Sequence, residues 1–347
     1  MVSINDVARL AGVSTATVSR ALSGRGQVSP EARMRVAAAA TQLGYVVQAA
    51  ASSLASGRTR NIGVLVPHLD RWFFSTVLSG IAAALARRGY DITLYALTDD
   101  PHARREIFST FLRRQRVDGV IAISLELGDH ESAELAAIGI PIIGLGGPNP
   151  LFPSLTVDDV AVARAATAHL VALGHREIAH IGASPEFDID FHIPTHRRRG
   201  FEVVLAEAGV SPRPELYEPA DFTVEGGFGA IARLLDRPNT HPTAVFAASD
   251  EMAIGAVLGA RDRGVRVPED LSVIGVDGHE LGEFFGLTTI DQFPRGQGER
   301  AAEAMLAMLE PTTDAGATAS PAVVGDLPFE LVTRQTTAWA PDVGSVA

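Results

Sequence analysis

Residues 3–22 encode two short helices joined by a tight turn, and this pattern constrains the start of the chain more than any other feature. Gly12 can end the first helix in the left-handed conformation, and Ser14 can cap the second. The second helix turns Val18 and Leu22 inward. Its outward face carries Thr15, Ala16, Ser19 and Arg20. Small hydrogen-bonding side chains on that face are typical of a helix-turn-helix that binds DNA.

A third helix follows, because Ser29 suits an N-cap, Pro30 suits the first helical position and Gly44 can end the helix. Three helices within residues 1–45 predict a small DNA-binding head. Residues 1–60 carry a net charge of +5 and the rest of the chain −17, which gives the −12 of the whole. A basic head on an acidic body fits a head that meets phosphate groups and a body that does not.

From Asn61 onward, apolar β-rich runs alternate with helical stretches to about residue 340. This alternation predicts parallel sheets with helices on both faces, and the length suits two such sheets. Ligands of such folds bind beyond the carboxyl ends of the strands. The predicted strands are 62–66, 92–97, 119–123, 141–145, 178–181, 243–247 and 272–276, and the predicted helices are 74–88, 103–115, 160–173, 200–208, 252–263 and 297–309.

Several classes of protein are disfavoured by what the sequence lacks. The chain has no cysteine, which excludes disulfides, thiolate catalysis and cysteine-ligated zinc. It has no apolar run of about 18 residues and no signal sequence at its start, so we expect a cytoplasmic protein without membrane contact. No glycine-rich phosphate loop precedes a helix, and there is no Gly-x-Ser-x-Gly elbow. We therefore expect no enzyme, no cofactor and no metal.

Seven short strings carry a family resemblance that extends from residue 2 to about residue 338. They are Asp6-Val7-Ala8, Gly12-Val13-Ser14, Thr17-Val18-Ser19-Arg20, Leu173-Gly174-His175, Asp250-Glu251-Met252-Ala253, Val267-Pro268-Glu269-Asp270-Leu271-Ser272-Val273 and Leu287-Thr288-Thr289-Ile290. Together they resemble the lactose-repressor (LacI) family of bacterial transcriptional regulators. The resemblance implies an α/β protein: a three-helix head and a hinge helix, followed by two periplasmic-binding-protein-like parallel-sheet subdomains.

The resemblance also implies boundaries and partners. The partners are a second copy of the chain, a pseudo-palindromic operator in double-stranded DNA, and a small effector, a sugar or sugar derivative, that controls repression. The implied segments are a head at 1–45, a hinge at 46–60, an effector-binding and dimerisation domain at 61–340 and a tail at 341–347. The N-subdomain is implied at about 61–157 and 291–326, the C-subdomain at about 158–290 and 327–340, with crossings near Val157, Asp291 and Leu327.

In the head, the family's base-reading positions fall on Thr15, Ala16 and Arg20. Arg20 can bond guanine in bidentate fashion, Thr15 can bond a base edge, and Ala16 offers a methyl group. The family positions the DNA backbone with Ser14, Thr17 and Ser19, although the Thr17 and Ser19 hydroxyls could equally bond within the helix. The hinge residues matching the family's minor-groove wedge are Ala51 and Leu54.

The family's effector positions map to the loop after the first strand and to the far side of a cleft. They are Asp70, Arg71, Trp72, Phe73, Arg197, Phe222, Ser249, Asp277 and Gln292. A polyol needs a carboxylate, a guanidinium and an aromatic face, which Asp277, Arg197 and either Phe222 or Trp72 could supply. Trp72 and Phe73 could equally pack into the core, and one arginine of 197–199 could be a solvated surface residue.

Two departures from the family pattern leave the effector open. Gly146 stands where sugar-binding members often carry Asp, and Ser249 stands where Asn is usual. Fewer polar anchors disfavour a simple hexose. A larger or differently oxidised sugar and a non-sugar effector remain alternatives.

Two other classes of protein compete with a regulator. An enzyme is one, because Asp188, Asp190, His192 and His196 are potential metal ligands at close spacing, although no second cluster completes a site. The other is a cytoplasmic sugar-binding or sugar-processing α/β protein whose DNA binding is secondary. That class fits residues 61–340 but does not explain the head.

Overall fold

The computed structural model of the chain describes residues 2–23, 27–45, 58–97, 100–112, 116–125, 127–184, 191–309 and 325–341. The chain divides into two compact units, Met1–Arg60 and Asn61–Ala347. Within the described ranges, none of the helices has the length and apolar character needed to cross a membrane. Most of the hinge at 46–60 and of the tail at 341–347 lies outside the described residues.

The first unit is a bundle of three helices, α1 (Ile4–Ala11), α2 (Thr15–Ser23) and α3 (Pro30–Leu43). Each helix contributes a fully buried valine to one small core, namely Val7, Val18 and Val36. Gly12 adopts a left-handed φ of 64° after α1, which a residue with a side chain rarely adopts. Ser29 caps α3, because its hydroxyl accepts the Ala32 N–H at 3.2 Å.

The second unit contains two six-stranded sheets. The first sheet comprises β1 (Asn61–Val66), β2 (Asp91–Ala96), β3 (Gly119–Ile123), β4 (Ile142–Gly146), β5 (Ser154–Thr156) and β11 (Gly325–Asp326), in the order β11-β5-β4-β3-β1-β2. Its strand pairs are all parallel. The helices of this half are α4 (Trp72–Arg87), α5 (Pro101–Glu106), α6 (Asp129–Ala137) and, from far along the chain, α12 (Pro294–Leu309).

The second sheet comprises β6 (Ile178–Ala183), β7 (Tyr217–Ala220), β8 (Ala244–Ala247), β9 (Ser272–Asp277), β10 (Thr288–Asp291) and β12 (Glu330–Val332), in the order β12-β10-β9-β8-β6-β7. Its pairs are parallel except that β12 runs antiparallel to β10. The helices of this half are α7 (Asp159–Ala172), α8 (Ile193–Glu207), α9 (Val224–Asp236), α10 (Asp250–Asp262) and the short α11 (Gly282–Phe285).

The described chain passes between the two sheets three times. It leaves the first sheet at Val157, between β5 and α7, and returns at Asp291, between β10 and α12. It crosses again between β11 and β12, where the Leu327 N–H donates to the Thr156 carbonyl oxygen at 2.7 Å. Val157 packs against the apolar cores of both halves. The two halves are therefore joined by three chain segments, and the segment at Val157 contacts the cores of both halves.

The helices of the second unit pair through glycines. A Cβ on Gly80 of α4 would overlap the Arg295 carbonyl oxygen of α12, and one on Gly298 of α12 would overlap the Val77 carbonyl oxygen. The same holds for Gly200 in the α7–α8 pair and for Gly255 in the α9–α10 pair. These glycines let helix backbones approach more closely than any side chain would allow.

The seven predicted strands are all present, with ends that differ by at most two residues. Two helix predictions were wrong in their extent. The helix predicted at 200–208 begins at Ile193, because the polar run Arg197–Arg199 obscures the apolar period while Pro194 suits a first turn. The helix predicted at 103–115 is α5 followed by a π-helical turn, Ile107–Phe111. Residues 113–115 lie outside the described part.

Candidate DNA-binding face and effector cleft

The outward face of α2 carries the side chains that the sequence assigns to base reading. Thr15, Ala16, Ser19 and Arg20 are exposed, whereas Val18 is fully buried. The Arg20 Nε donates to the Ala16 carbonyl oxygen at 3.2 Å, and this hydrogen bond holds the Arg20 side chain against the helix. The helix therefore presents small polar groups and one cation on a single surface.

Ser14 and Thr17 form the cap of this helix. The Ser14 Oγ accepts the Thr17 N–H at 3.2 Å and lies 2.9 Å from the Thr17 Oγ1. Thr17 is half-buried, so its hydroxyl bonds locally, while Ser14 and Ser19 stay exposed. The wedge residues Ala51 and Leu54 lie outside the described residues.

A cavity of about 150 Å³ lies between the two halves of the second unit, lined by residues at the carboxyl ends of strands from both sheets. Seven of the nine residues that the resemblance assigned to an effector site line it, namely Arg71, Phe73, Arg197, Phe222, Ser249, Asp277 and Gln292. Asp70 and Trp72 do not line it. The cavity therefore coincides with the cleft that the parallel sheets predict.

Arg197 is buried in the wall of the cleft and contacts three polar groups. Its Nε donates to Asp159 Oδ1 at 2.8 Å, its Nη1 donates to the Ala248 carbonyl oxygen at 2.5 Å, and the same Nη1 lies 3.9 Å from Asp277 Oδ1. Arg198 and Arg199 are exposed. Of the three consecutive arginines, Arg197 thus faces the cleft and the other two are surface residues.

Asp277 ends β9 and points a carboxylate into the same cleft. Its Oδ1 accepts the Gln292 Nε2 at 2.8 Å, and its φ of 129° shows a backbone turned away from ordinary strand geometry. Burial raises the pKa of Asp277 well above its usual value, and the nearby Arg197 guanidinium opposes that shift. A ligand that donates hydrogen bonds to Asp277 would replace the water this carboxylate has lost.

Asp250 supports the cleft from behind and was not among the predicted site residues. Its carboxylate accepts the N–H groups of Gly278 and His279 at 2.9 and 2.7 Å, and the Thr289 hydroxyl at 2.7 Å. Full burial raises the pKa of Asp250 to about 6. These bonds fix the loop that follows Asp277, so Asp250 positions the cleft rather than lining it.

The rim of the cleft holds contacts between its two walls. The Arg71 Nη1 donates to the Phe222 carbonyl oxygen at 3.3 Å, and the Trp72 ring stacks on His279 with centroids 4.2 Å apart. Burial raises the pKa of Glu251 on the same rim, while the Arg71 guanidinium and the Trp72 main chain lower it. Trp72 therefore bridges the two walls, which was neither of the roles considered for it.

Sequence reasoning missed several residues that line the cavity. They are His68, Phe74, Ser124, Val157, Asp159, Ile193, Pro194, Asp221, Glu251 and Gln297. Three of them, Ser124, Val157 and Asp221, directly follow a strand, which is the position that the carboxyl-end rule indicates. Gly146, which the sequence placed at an effector position of the family, also lines the cavity. Gly146 has a φ of 117°, and a Cβ there would lie 2.7 Å from the Ser124 Oγ. A larger residue at 146 would need Ser124 to move.

The enzyme alternative rested on four potential metal ligands. Asp188 and Asp190 lie outside the described residues, and His192 is exposed. In the part of the chain that the structure describes, no group of three or more such side chains could hold a metal ion.

Comparison with known proteins places these two features in one family. Residues 3–48 match the model of bacterial regulatory proteins of the lacI family, and residues 167–337 match that of a periplasmic binding protein-like domain. The HTH-type transcriptional repressor CytR of Escherichia coli (strain K12) is 36% identical over 313 residues, which cover 88% of this chain and 89% of CytR. The chain belongs to the LacI family. As a member of that family, it is a DNA-binding transcriptional regulator.

Solved structures of LacI-family proteins share its fold over nearly the whole length. The lac repressor dimer bound to operator and the anti-inducer ONPF matches with a TM-score of 0.82 at 28% identity, covering 97% of this chain and 99% of the repressor. The complex of the transcriptional regulator CelR with cellobiose matches with a TM-score of 0.68 at 30% identity, covering 97% of this chain and 100% of CelR. The resemblance read from the sequence is thus confirmed.

Proposed function

We propose that this LacI-family protein is a repressor that binds a pseudo-palindromic operator as a homodimer and changes its operator affinity when a small effector occupies the cleft. The observation that carries the proposal is the cleft itself. Arg197 of α8 lies buried there beside Asp277 and Gln292, which stand at the carboxyl ends of β9 and β10. The same chain carries an exposed DNA-reading helix.

In the head, we assign base reading to Thr15, Ala16 and Arg20. Arg20 bonds guanine, Thr15 bonds a base edge, and Ala16 contacts a thymine methyl group. Ser14 and Ser19 position the DNA backbone, with Thr17 holding the cap. In the hinge, Ala51 and Leu54 form the minor-groove wedge.

The effector is proposed to be a carbohydrate. Asp277 and Gln292 accept and donate hydrogen bonds to hydroxyl groups, and the rings of Phe73 and Phe222 cover the apolar face of a sugar. Arg197 holds these groups in place and can reach a ligand oxygen. Two relatives support this class, since CelR was solved with cellobiose and a LacI-family regulator from Enterococcus faecium with ribose.

The homodimer is proposed to form through one apolar face of the second unit. Phe284 of α11 is 84% exposed, and Leu281 beside it is also exposed. Phe228 of α9 and Leu258 of α10 are exposed on the neighbouring helices. Large apolar side chains in adjacent elements mark an interaction surface. A second copy of the chain is the occupant, because the lac repressor of matching fold was solved as a dimer.

Two further points belong to the proposal. A repressor acts where chromosomal DNA is, so its compartment is the cytoplasm. We also propose that the chain has no enzymatic activity of its own, because its relatives are transcriptional regulators. Turnover assays on any compound that binds the cleft test this second point.

The effector test measures operator binding with cleft variants. The chain is titrated with labelled DNA from the promoters beside its own gene, with and without a panel of mono- and disaccharides. We expect at least one sugar to shift the wild-type curve, Arg197→Ala and Asp277→Asn to bind DNA normally without that shift, and Arg199→Ala to respond like wild type. Arg199 is the matched control, because it is exposed on the same helix.

Unfolding curves of each variant establish that the cleft variants are folded. A wild-type response in Arg197→Ala or Asp277→Asn at the same sugar concentration would place the effector elsewhere. Failure of the wild-type chain to bind any promoter fragment would contradict the proposal that the protein is a repressor of these promoters.

A further inference from the structure

A second cavity lies in the second unit, at the opposite end of its second sheet from the effector cleft. Its volume is about 240 Å³, and it is bordered by Ile178 at the start of β6 and Tyr217 at the start of β7. The effector cleft lies at the carboxyl ends of the same strands. Helix α8 connects the two places, since Arg197 lines the cleft and Arg198 lines the second cavity.

The floor of this cavity is apolar. Phe201 and Leu205 of α8, together with Ile178 and Leu216, are buried side chains that face it. Under Phe201, the His180 ring stacks at a centroid distance of 5.1 Å. A volume of 240 Å³ exceeds the roughly 150 Å³ apolar cavity that holds benzene in an engineered protein. The floor can therefore accommodate a compact apolar group.

The rim of the cavity carries three arginines and two glutamates. Arg213 Nη1 lies 2.6 Å from Glu177 Oε2, and Arg198 Nε lies 2.8 Å from Glu202 Oε1. Each glutamate is thus matched by one arginine. Glu215 lies outside the lining, 3.9 Å from the Arg213 Nε.

Arg176, the third arginine of the rim, is held differently. Its Nη1 donates to the carbonyl oxygens of Val171 and His175 at 3.1 and 2.8 Å. Carbonyl groups are neutral, so these bonds orient the guanidinium without neutralising it. Among the described residues, no carboxylate lies within ion-pair distance of Arg176, so its guanidinium is the cation of the rim that an anion can meet.

From this arrangement we propose that the cavity binds a small monocarboxylate with a compact apolar body, such as an aromatic or branched-chain acid. The carboxylate pairs with the Arg176 guanidinium, and the apolar body rests on Phe201 and Leu205. One carboxylate suffices to pair with Arg176. Inorganic phosphate has no apolar body and would leave the apolar floor uncovered.

The test measures binding of benzoate and isovalerate by calorimetry and by saturation-transfer NMR, using the full chain. Benzamide serves as the neutral analogue of benzoate, and inorganic phosphate as the anion without an apolar body. We expect both carboxylates to bind at millimolar concentration and benzamide and phosphate not to bind. Arg176→Gln should weaken the binding of benzoate at least about tenfold, which is the effect of losing one charge-assisted hydrogen bond.

Two further variants complete the design. Ser211→Trp fills the mouth of the cavity from an exposed position and should abolish binding. Arg164→Gln removes a half-buried arginine that pairs with Glu207 outside the cavity, and should leave binding unchanged.

The proposal is overturned if neither carboxylate binds, or if Arg176→Gln and Ser211→Trp bind benzoate like wild type. It is equally overturned if Arg164→Gln weakens binding as much as Arg176→Gln, or if benzamide or phosphate binds as well as benzoate. None of these readouts depends on the operator or on the sugar effector.

Discussion

At the scale of single residues, Arg20 is the side chain on which operator recognition should depend most. We expect Arg20→Ala to cost about 1–3 kcal/mol of binding free energy at the operator and to relax the preference for one base pair per half-site. Titrations of operator, single-base variants and random DNA measure both effects. An equal loss on random DNA would make Arg20 a phosphate contact.

The control for that prediction is Arg33→Ala. Arg33 is an exposed arginine on α3, so its removal changes the head's charge by the same amount. The Arg33→Ala substitution should weaken binding to operator and to random DNA by the same factor, or should leave both affinities unchanged. Comparison of the two variants separates base reading from the general attraction between arginine and phosphate.

His180 makes the stability of the second unit depend on pH. The ring is fully buried between Phe201 and Phe246, and its Nδ1 lies 3.0 Å from the Phe246 carbonyl oxygen. Burial lowers the pKa of His180 from 6.5 to about 4. The unfolded chain binds a proton near pH 6.5 and the folded chain does not, so the folded state loses stability as the pH falls from 6.5 to 4.

The expected contribution of His180 over that range is about 3 kcal/mol of unfolding free energy, lost on acidification. His180→Phe should be less stable at pH 7, because the Phe246 carbonyl loses its donor, but should show a flatter pH dependence. Urea unfolding at a series of pH values measures this. The control is His130→Ala, which removes a side chain that is 82% exposed and should not alter the slope. Equal slopes for His180→Phe and wild type would contradict the prediction.

The sequence located most of the cleft residue by residue, and physical reasons explain the exceptions. Arg197, Asp277 and Gln292 were predicted and line the cavity. Trp72 was predicted with them, yet no sequence pattern shows which wall of a cleft an aromatic ring will meet, and its partner His279 lies more than 200 residues away. Asp250 belongs to one of the family strings but was not predicted as a site residue. Its role depends on the backbone N–H groups of the loop after Asp277, whose positions a sequence does not show.

At the scale of elements, glycine explains why one helix was not predicted and how it packs closely against its neighbour. Helix α9 was not predicted, because its glycines lower helix propensity and interrupt the apolar period. In the structure, one of these glycines, Gly227, faces α10 at close range. A Cβ on Gly227 would overlap the Met252 carbonyl oxygen, and one on Gly255 would overlap the Val224 carbonyl oxygen.

We expect Gly255→Ala to destabilise the second unit by about 1–3 kcal/mol, because the new methyl group forces α9 and α10 apart. Gly229→Ala is the matched control, since its Cβ would meet only the flexible end of Arg233 at 3.2 Å. That control should be neutral or stabilising by up to about 1 kcal/mol, because alanine favours a helix. Chemical denaturation of both variants measures the difference. Similar changes in unfolding free energy for the two variants would contradict the close packing of α9 on α10.

Short strands were also among the elements that the sequence did not reveal. β5 and β12 have three residues each, too few to show an alternating pattern. β7 contains Pro219, which argues against a strand in the middle of a sheet. The structure places β7 at the edge of its sheet, where a missing N–H disturbs no ladder.

At the scale of the whole molecule, dimer formation should depend on Phe284. We expect Phe284→Ser to shift the protein towards monomer, because it removes the most exposed large apolar side chain of the proposed dimer face. Operator affinity should fall with it, since one head meets only one half-site. Light scattering after size-exclusion chromatography measures the mass, and DNA titration measures the affinity.

Trp339→Ser is the control for that prediction. Trp339 is also a large exposed ring, at 75%, but belongs to the C-terminal segment rather than to the proposed face. Its replacement should leave mass and operator affinity unchanged. A dimeric Phe284→Ser protein with wild-type operator affinity would move the interface elsewhere.

The three crossings between the sheets have a consequence for synthesis on the ribosome. Because α12 and β11 belong to the first sheet's half, that half cannot be completed until residues beyond 326 have left the ribosome. The half begun first is therefore finished almost last, whereas the head is complete after its first 45 residues. A nascent chain stalled near residue 290 would expose the apolar surface that α12 later covers, and it would be a target for chaperones and proteases.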